Sequence, residues 1–195
     1  MNLERMSLDL LRAELLREPG QLPAVPVVGC ADGSPPSYFS VASPEPSLLD
    51  HRLAVARAIL IRGAYEEAVG RDCIASPNAA RNYFRLHFAL LPYEAFVVAY
   101  LDAQSRAIAI EEAFSGTLTS TSVHPREIVR RVLVHNAHSI LCLHNHPSGT
   151  ASISHADEML TATIKQALAL VDVRLLDHLV FAAGQFVSMA ERGLI

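Results

Sequence analysis

Cysteine is scarce in this chain of 195 residues: Cys30, Cys73 and Cys142 stand far apart and form no C-x-x-C pair. That spacing excludes a disulfide framework as the organiser of the fold, and reduced thiols fit it better. Long apolar runs are also missing. No stretch approaches the ~20 residues needed to cross a bilayer, and Met1-Asn2-Leu3-Glu4-Arg5 lacks the basic-then-apolar layout of a secretory signal. A cytoplasmic protein without a membrane partner is the expectation. Basic blocks are absent too. With 16 Lys and Arg against 20 Asp and Glu the formal charge is −4, and Lys165 is the only lysine. A surface built mainly to hold nucleic-acid backbone would carry a basic stripe, so the charge argues against one. What the chain does have is 51% hydrophobic content. This is enough to bury one substantial core, and the length favours one domain with an appendage.

Proline divides the chain. Residues 1 to about 18 have the spacing of a short helix through Leu3, Met6, Leu10, Leu11 and Leu15. Residues 19–47 then carry seven of the eleven prolines, with several glycines and serines, and read as a linker because proline removes backbone donors. Asp50 is the expected cap of a helix to about Val69, with Leu53, Ala56, Ile59, Leu60 and Ala64 on one face. Ser76-Pro77 starts another helix that ends near Phe88. From Glu94 the period changes. Phe96 to Leu101 reads as a buried strand, Asp102 to Ser105 as a turn, and Ala107 to Glu112 as the partner strand of a hairpin.

Pro125 opens a helix that turns Ile128, Val129, Val132 and Leu133 inward, and Ser139 to Leu143 is a short apolar strand feeding into His144. A further helix follows Ser154, with Ala156, Leu160, Ile164, Ala167, Leu168 and Val171 toward the core. Two strands close the chain around Gly184. The organisation is therefore a 1–47 extension and linker, a 48–74 helical lead-in and a 75–195 domain of intermixed strands and helices.

The chemistry concentrates between His124 and His178, where seven of the nine histidines lie. His144-Asn145-His146-Pro147-Ser148-Gly149, followed by Ser154-His155-Ala156-Asp157, spells H-x-H-x7-S-x2-D. Two imidazoles two residues apart project to one side of an extended segment, and a carboxylate from the next element completes three ligands. A catalytic zinc keeps its fourth position for water, whereas a structural zinc is closed by four side chains. A bare H-x-H could equally be a polar turn; the Ser and Asp at matching spacing favour the metal reading. Ser154-x-x-Asp157 is also close to a capping box, and the two readings are compatible, since a capped helix start aims Asp157 back at the histidines. A free Ser154 hydroxyl would instead serve a developing oxyanion.

Cys142 shares strand parity with His144 and is a thiolate candidate, although a small buried hydrophobe is the plainer account. For His155 and His178, packing or support of the ligands is the plainer reading. Hydrolysis at such a metal needs a base, and spacing does not choose among Glu94, Glu111, Glu112 and Glu127. Arg126, Arg130 and Arg131 share a helix and read by default as a solvated face.

Further stretches, Tyr93-Glu94-Ala95-Phe96 through Leu101-Asp102, Ser115-Gly116-Thr117-Leu118, Val123-His124-Pro125-Arg126-Glu127 and Leu176-Asp177-His178-Leu179, join the histidine run in a pattern over roughly residues 75–195. The chain resembles the RadC-like branch of the JAMM (MPN-type) metalloproteins. The resemblance implies an α/β fold with a mixed, curved β-sheet flanked by helices, in a cytidine-deaminase-like layout, behind the proline-rich extension. It implies Zn2+ held by His144, His146 and Asp157, with peptidase or isopeptidase chemistry on a protein or peptide. It also selects Glu94 as the catalytic base and Ser154 as the residue that steadies the tetrahedral intermediate. Longer RadC-like proteins carry a helix-hairpin-helix segment, and residues 1–74 show no Gly-rich hairpin of that kind. Asn145 stands where many isopeptidase relatives have Ser or Thr, and Ile153 where a proline is frequent. Two rival readings remain beside the zinc hydrolase: a DNA-repair-associated protein that binds DNA, and a metal-bearing interaction scaffold without turnover.

Overall fold

Runs of β-branched and aromatic residues set the centre of the fold, because Phe96-Val97-Val98-Ala99-Tyr100-Leu101 is buried on both faces of its strand. The computed structural model describes residues 3, 6–16, 48–69, 77–89, 91–116 and 123–195. The proline-rich stretch 19–47, Cys30, Cys73 and Thr117-Leu118 lie outside the described residues.

Two compact units divide the chain, residues 1–62 and 63–195. In the first, α1 (Leu8–Leu15) is capped by the Ser7 side chain, and α2 (Leu48–Ala68) begins there and runs into the second unit. Of the stripe expected on α2, Ala64 is buried, but Leu53 and Leu60 are about 60% exposed and Val55 is buried instead. Asp50 also lies inside the first turn of α2 instead of capping it. On α1, Leu11 is buried and Leu10 is not, and the buried Glu14 carboxylate meets His51 Nε2 at 3.0 Å.

The second unit holds α3 (Pro77–Phe88), β1 (Glu94–Leu101), β2 (Ala107–Gly116), α4 (Pro125–His135), β3 (Ser139–Asn145), α5 (His155–Ala169), β4 (Arg174–Ala182) and β5 (Gln185–Ser188). The five strands form one mixed sheet in the order β2-β1-β3-β4-β5. Only β3 and β4 are parallel, and α5 is the crossover that parallel neighbours require. Phe96, Val98, Tyr100, Ile140 and Cys142 share a core with Ile128 and Val132 of α4 and Ile164 and Leu168 of α5. On the other face Phe88 of α3 stacks on Phe181 of β4, with ring centroids 5.6 Å apart. This is the mixed α/β sheet flanked by helices that the sequence leads one to expect. No helix of the described residues is long and apolar enough to cross a membrane.

Two helical stripes differ from expectation near the site. Leu133 on α4 is 60% exposed, because the helix turns Ile128 and Val132 inward and so carries Leu133 and Val134 on its outer side. On α5, Ala156 is exposed and the buried line is Asp157, Thr161, Ile164 and Leu168. Its two polar members lead the helix.

Candidate metal centre

Strand β3 runs through His144 and ends at Asn145, one residue before His146. His144 is therefore held in the sheet, with Phe96 of β1 and Val180 of β4 as its neighbours in register. His146 begins a tight reversal in which Gly149 N–H donates to His146 C=O at 3.0 Å. Gly149 sits at φ +79, a conformation that glycine adopts without strain. The reversal brings Thr150 C=O to 2.9 Å from His146 Nδ1. A carbonyl only accepts, so His146 carries a proton on Nδ1, and Nε2 is the nitrogen that the neutral ring has free for a ligand bond.

Asp157 is aimed by the start of α5. Ser154 Oγ accepts from Asp157 N–H at 3.1 Å, while Ser154 N–H and Oγ–H donate to Asp157 Oδ2 at 2.8 and 2.7 Å. This is a reciprocal capping box with Asp in place of the usual Glu. Both donors fall on Oδ2, and Oδ1 lies 3.3 Å from His144 Nε2. His146 Nε2 is 2.9 Å from His144 Nε2 and 3.8 Å from Asp157 Oδ2. A tetrahedral zinc with bonds near 2.0–2.1 Å separates its donors by about 3.3 Å, a value these distances bracket. Among the described residues, His144, His146 and Asp157 form the one group of three whose ligand atoms gather this way, all within 4.8 Å of one another.

The chemistry of the donors also fits a cation. Two ring nitrogens and a carboxylate oxygen converge, and a positive charge shared by all three would satisfy them together. Burial is lopsided: the His144 and Asp157 side chains are 1% exposed and that of His146 is 13% exposed. Solvent reaches the trio from the His146 side.

Glu94 heads β1, half-buried and opposite Gly116 of β2. Strand alternation puts it on the face of Phe96, which pairs with His144. The backbone on either side of Glu94 is clamped by Asn145, whose Oδ1 accepts from Ala95 N–H at 2.7 Å and whose Nδ2 donates to Tyr93 C=O at 3.0 Å. Asn145→Ala leaves a buried N–H without this acceptor, so urea denaturation should register a loss of about 1–3 kcal/mol. An unchanged midpoint would mean the clamp is idle.

The remaining sequence candidates sit elsewhere. Glu111 pairs with Arg131 at 3.0 Å and His135 at 2.9 Å, Glu112 meets His87 at 3.3 Å, and Glu127 pairs with Arg130 at 3.0 Å. His155 is exposed beside Glu158. Cys142 is fully buried and outside the trio; burial, with the Asp177 charge adding, pushes its thiol well above the ordinary range. It packs as a hydrophobe. His178 is buried against His144, with His178 Nε2 2.8 Å from His144 Nδ1. Thr161 was missed by apolar pattern alone, because it is polar; its spacing of four from Asp157 was the available signal.

Comparison with known proteins decides the family. The family model for the RadC-like JAB domain matches residues 74–194. The chain belongs to the RadC-like JAB domain family. A UPF0758 protein of Albidiferax ferrireducens is 53% identical to this RadC-like chain over 134 residues, covering 69% of the chain and 57% of the relative. A UPF0758 protein of Nitrosomonas eutropha is 54% identical over 134 residues, covering 69% and 60%. One of Acidovorax sp. is 54% identical over 125 residues, covering 64% and 52%. The RadC-like chain thus spans little more than half the length of these relatives.

Burial gives this RadC-like site an acid signature. It lowers His144 from 6.5 to about 4, with Asp157 opposing the fall and His146 adding to it. His178 lies well below its ordinary value through burial, then the proximity of His144 and His146. Neutral imidazole is the ligating form. Between about pH 4 and 6.5 the unfolded chain binds more protons than the folded one, so stability rises with pH there and is lost as pH falls toward 4. Metal-free protein should lose on the order of 3 kcal/mol from His144 alone between pH 7 and pH 4. Urea denaturation at the two pH values measures it, and a flat response would contradict the buried neutral imidazole.

Proposed function

We propose that this chain is a metal-dependent hydrolase that cleaves amide bonds in a protein or peptide substrate, with zinc as its ion. The observation that carries the reading is the convergence of His144 Nε2, His146 Nε2 and an Asp157 carboxylate oxygen with solvent access on one side. Two imidazoles and one carboxylate are a donor set that suits catalytic zinc. When bound, the ion supplies positive charge that acidifies a water molecule and polarises a carbonyl.

The protein's own groups do the rest. Glu94 takes the proton from the attacking water on its carboxylate and returns it to the leaving amine. Asn145 fixes the strand head that carries Glu94, through its bonds to Tyr93 and Ala95. Ser154 steadies the developing oxyanion by turning its hydroxyl hydrogen away from Asp157 Oδ2. Asp157 keeps the Ser154 N–H through that change, so the ligand stays aimed.

Elemental analysis of the purified protein, together with a proteomic comparison of peptides cleaved or trapped by wild type and by Glu94→Gln, tests the reading. Stoichiometric zinc with products that vanish in the variant is expected. Protein without zinc, or identical products from both forms, overturns it.

A further inference from the structure

Behind the trio lies a hydrogen-bonded line that the amide-cleavage reading does not use. Thr161 Oγ is 2.6 Å from Asp157 C=O and 2.6 Å from His178 Nδ1, and His178 Nε2 is 2.8 Å from His144 Nδ1. Thr161, His178 and His144 are all buried. Each link in this line has a direction. A threonine hydroxyl has one hydrogen, and Asp157 C=O can only accept, so at 2.6 Å that hydrogen belongs to the carbonyl. The Met189 sulfur, 3.4 Å from Thr161 Oγ, is the weaker acceptor. Thr161 Oγ therefore accepts from His178, which must carry its proton on Nδ1. A neutral His178 then offers a bare Nε2, and His144 must donate to it from Nδ1. That assignment leaves His144 Nε2 unprotonated, 2.9 Å from His146 Nε2 and 3.3 Å from Asp157 Oδ1.

We infer that Thr161 and His178 are positioning residues that lock His144 into the Nδ1–H tautomer, so that its Nε2 lone pair faces the metal position. The line starts and ends within the ligand set, because Asp157 supplies the carbonyl at one end and His144 the ring at the other. Asp177 anchors its middle by accepting from the backbone N–H of His178 at 2.7 Å and of Ala190 at 2.9 Å. Without the threonine oxygen, His178 Nδ1–H would be buried with no acceptor, and the Nε2–H tautomer becomes the cheaper one. That tautomer donates to His144 Nδ1 and drives the His144 proton onto Nε2, into the place of the ligand bond. The inference rests on the metal reading above.

The test is zinc affinity of the full chain by competition with a chromophoric chelator, combined with long-range 1H–15N spectra of the metal-free histidines. Thr161→Val keeps the shape and removes the oxygen; Thr161→Ser keeps the oxygen. Wild type should show Nδ1–H on both His144 and His178. Thr161→Val should bind zinc about 10–100-fold more weakly with an altered His178 tautomer, while Thr161→Ser stays near wild type. An Nε2–H or doubly protonated His178 in wild type overturns the inference even if Thr161→Val fails to fold. So does a folded Thr161→Val with wild-type affinity. Wild type that takes up no zinc sinks the metal reading itself, a failure visible before any variant is compared.

Discussion

Zinc-loaded Glu94→Gln protein is expected to hold wild-type metal and to turn over peptide substrate about 10²–10⁴-fold more slowly, the usual worth of a positioned general base. Glutamine keeps the size and polarity of the side chain and removes only the ability to accept a proton. The two Asn145 bonds that fix the strand go to the backbone of Tyr93 and Ala95, so the substitution leaves the clamp in place. His144, His146 and Asp157 gather their ligand atoms without Glu94, so metal content should not change. Zinc stoichiometry and the initial rate on a peptide identified by the proteomic comparison separate the two effects. Retained turnover would remove Glu94 from the mechanism. Lost metal would make it a structural support of the site.

Much of this site was legible in the chain, for local reasons. The H-x-H pair lies on one strand end, where alternation alone puts both rings on one side, and Ser154-x-x-Asp157 is a helix start whose geometry is fixed within four residues. Strand β1 and its hairpin partner were likewise visible as a buried run and a turn. Long-range pairings were not written there. That Asn145 would hold the backbone on both sides of Glu94 depends on the antiparallel pairing of β1 with β3, fifty residues apart. That His178 would back His144 depends on the parallel pairing of β3 with β4. Helix faces were misread where apolarity was taken as burial. Leu53, Leu60 and Leu133 face outward, and on α5 the inward line begins with Asp157 and Thr161, because the metal-side end of the core is polar. A reading that follows hydrophobic spacing passes over such a line.

Asp157→Asn is the variant for which the metal reading predicts a large loss of binding with little loss of fold. Ser154 caps α5 through Asp157 backbone N–H, which the substitution does not touch. The amide oxygen of asparagine can still accept from Ser154 N–H and Oγ–H, now 2.8 and 2.7 Å from Oδ2. The amide NH2 then takes the place of Oδ1, 3.3 Å from His144 Nε2, and a donor stands where a ligand oxygen was. Apart from the lost charge at a helix N-terminus, worth about 0.3–1 kcal/mol, stability of the metal-free protein should hold. Zinc affinity should fall by more than about 100-fold, since a charged ligand is removed outright and even supporting contacts are worth 10–100-fold. Chelator competition and a thermal melt of metal-free protein read the two quantities separately. Wild-type affinity in this variant would show that Asp157 only caps its helix, and the three-ligand site would reduce to a pair of neighbouring histidines.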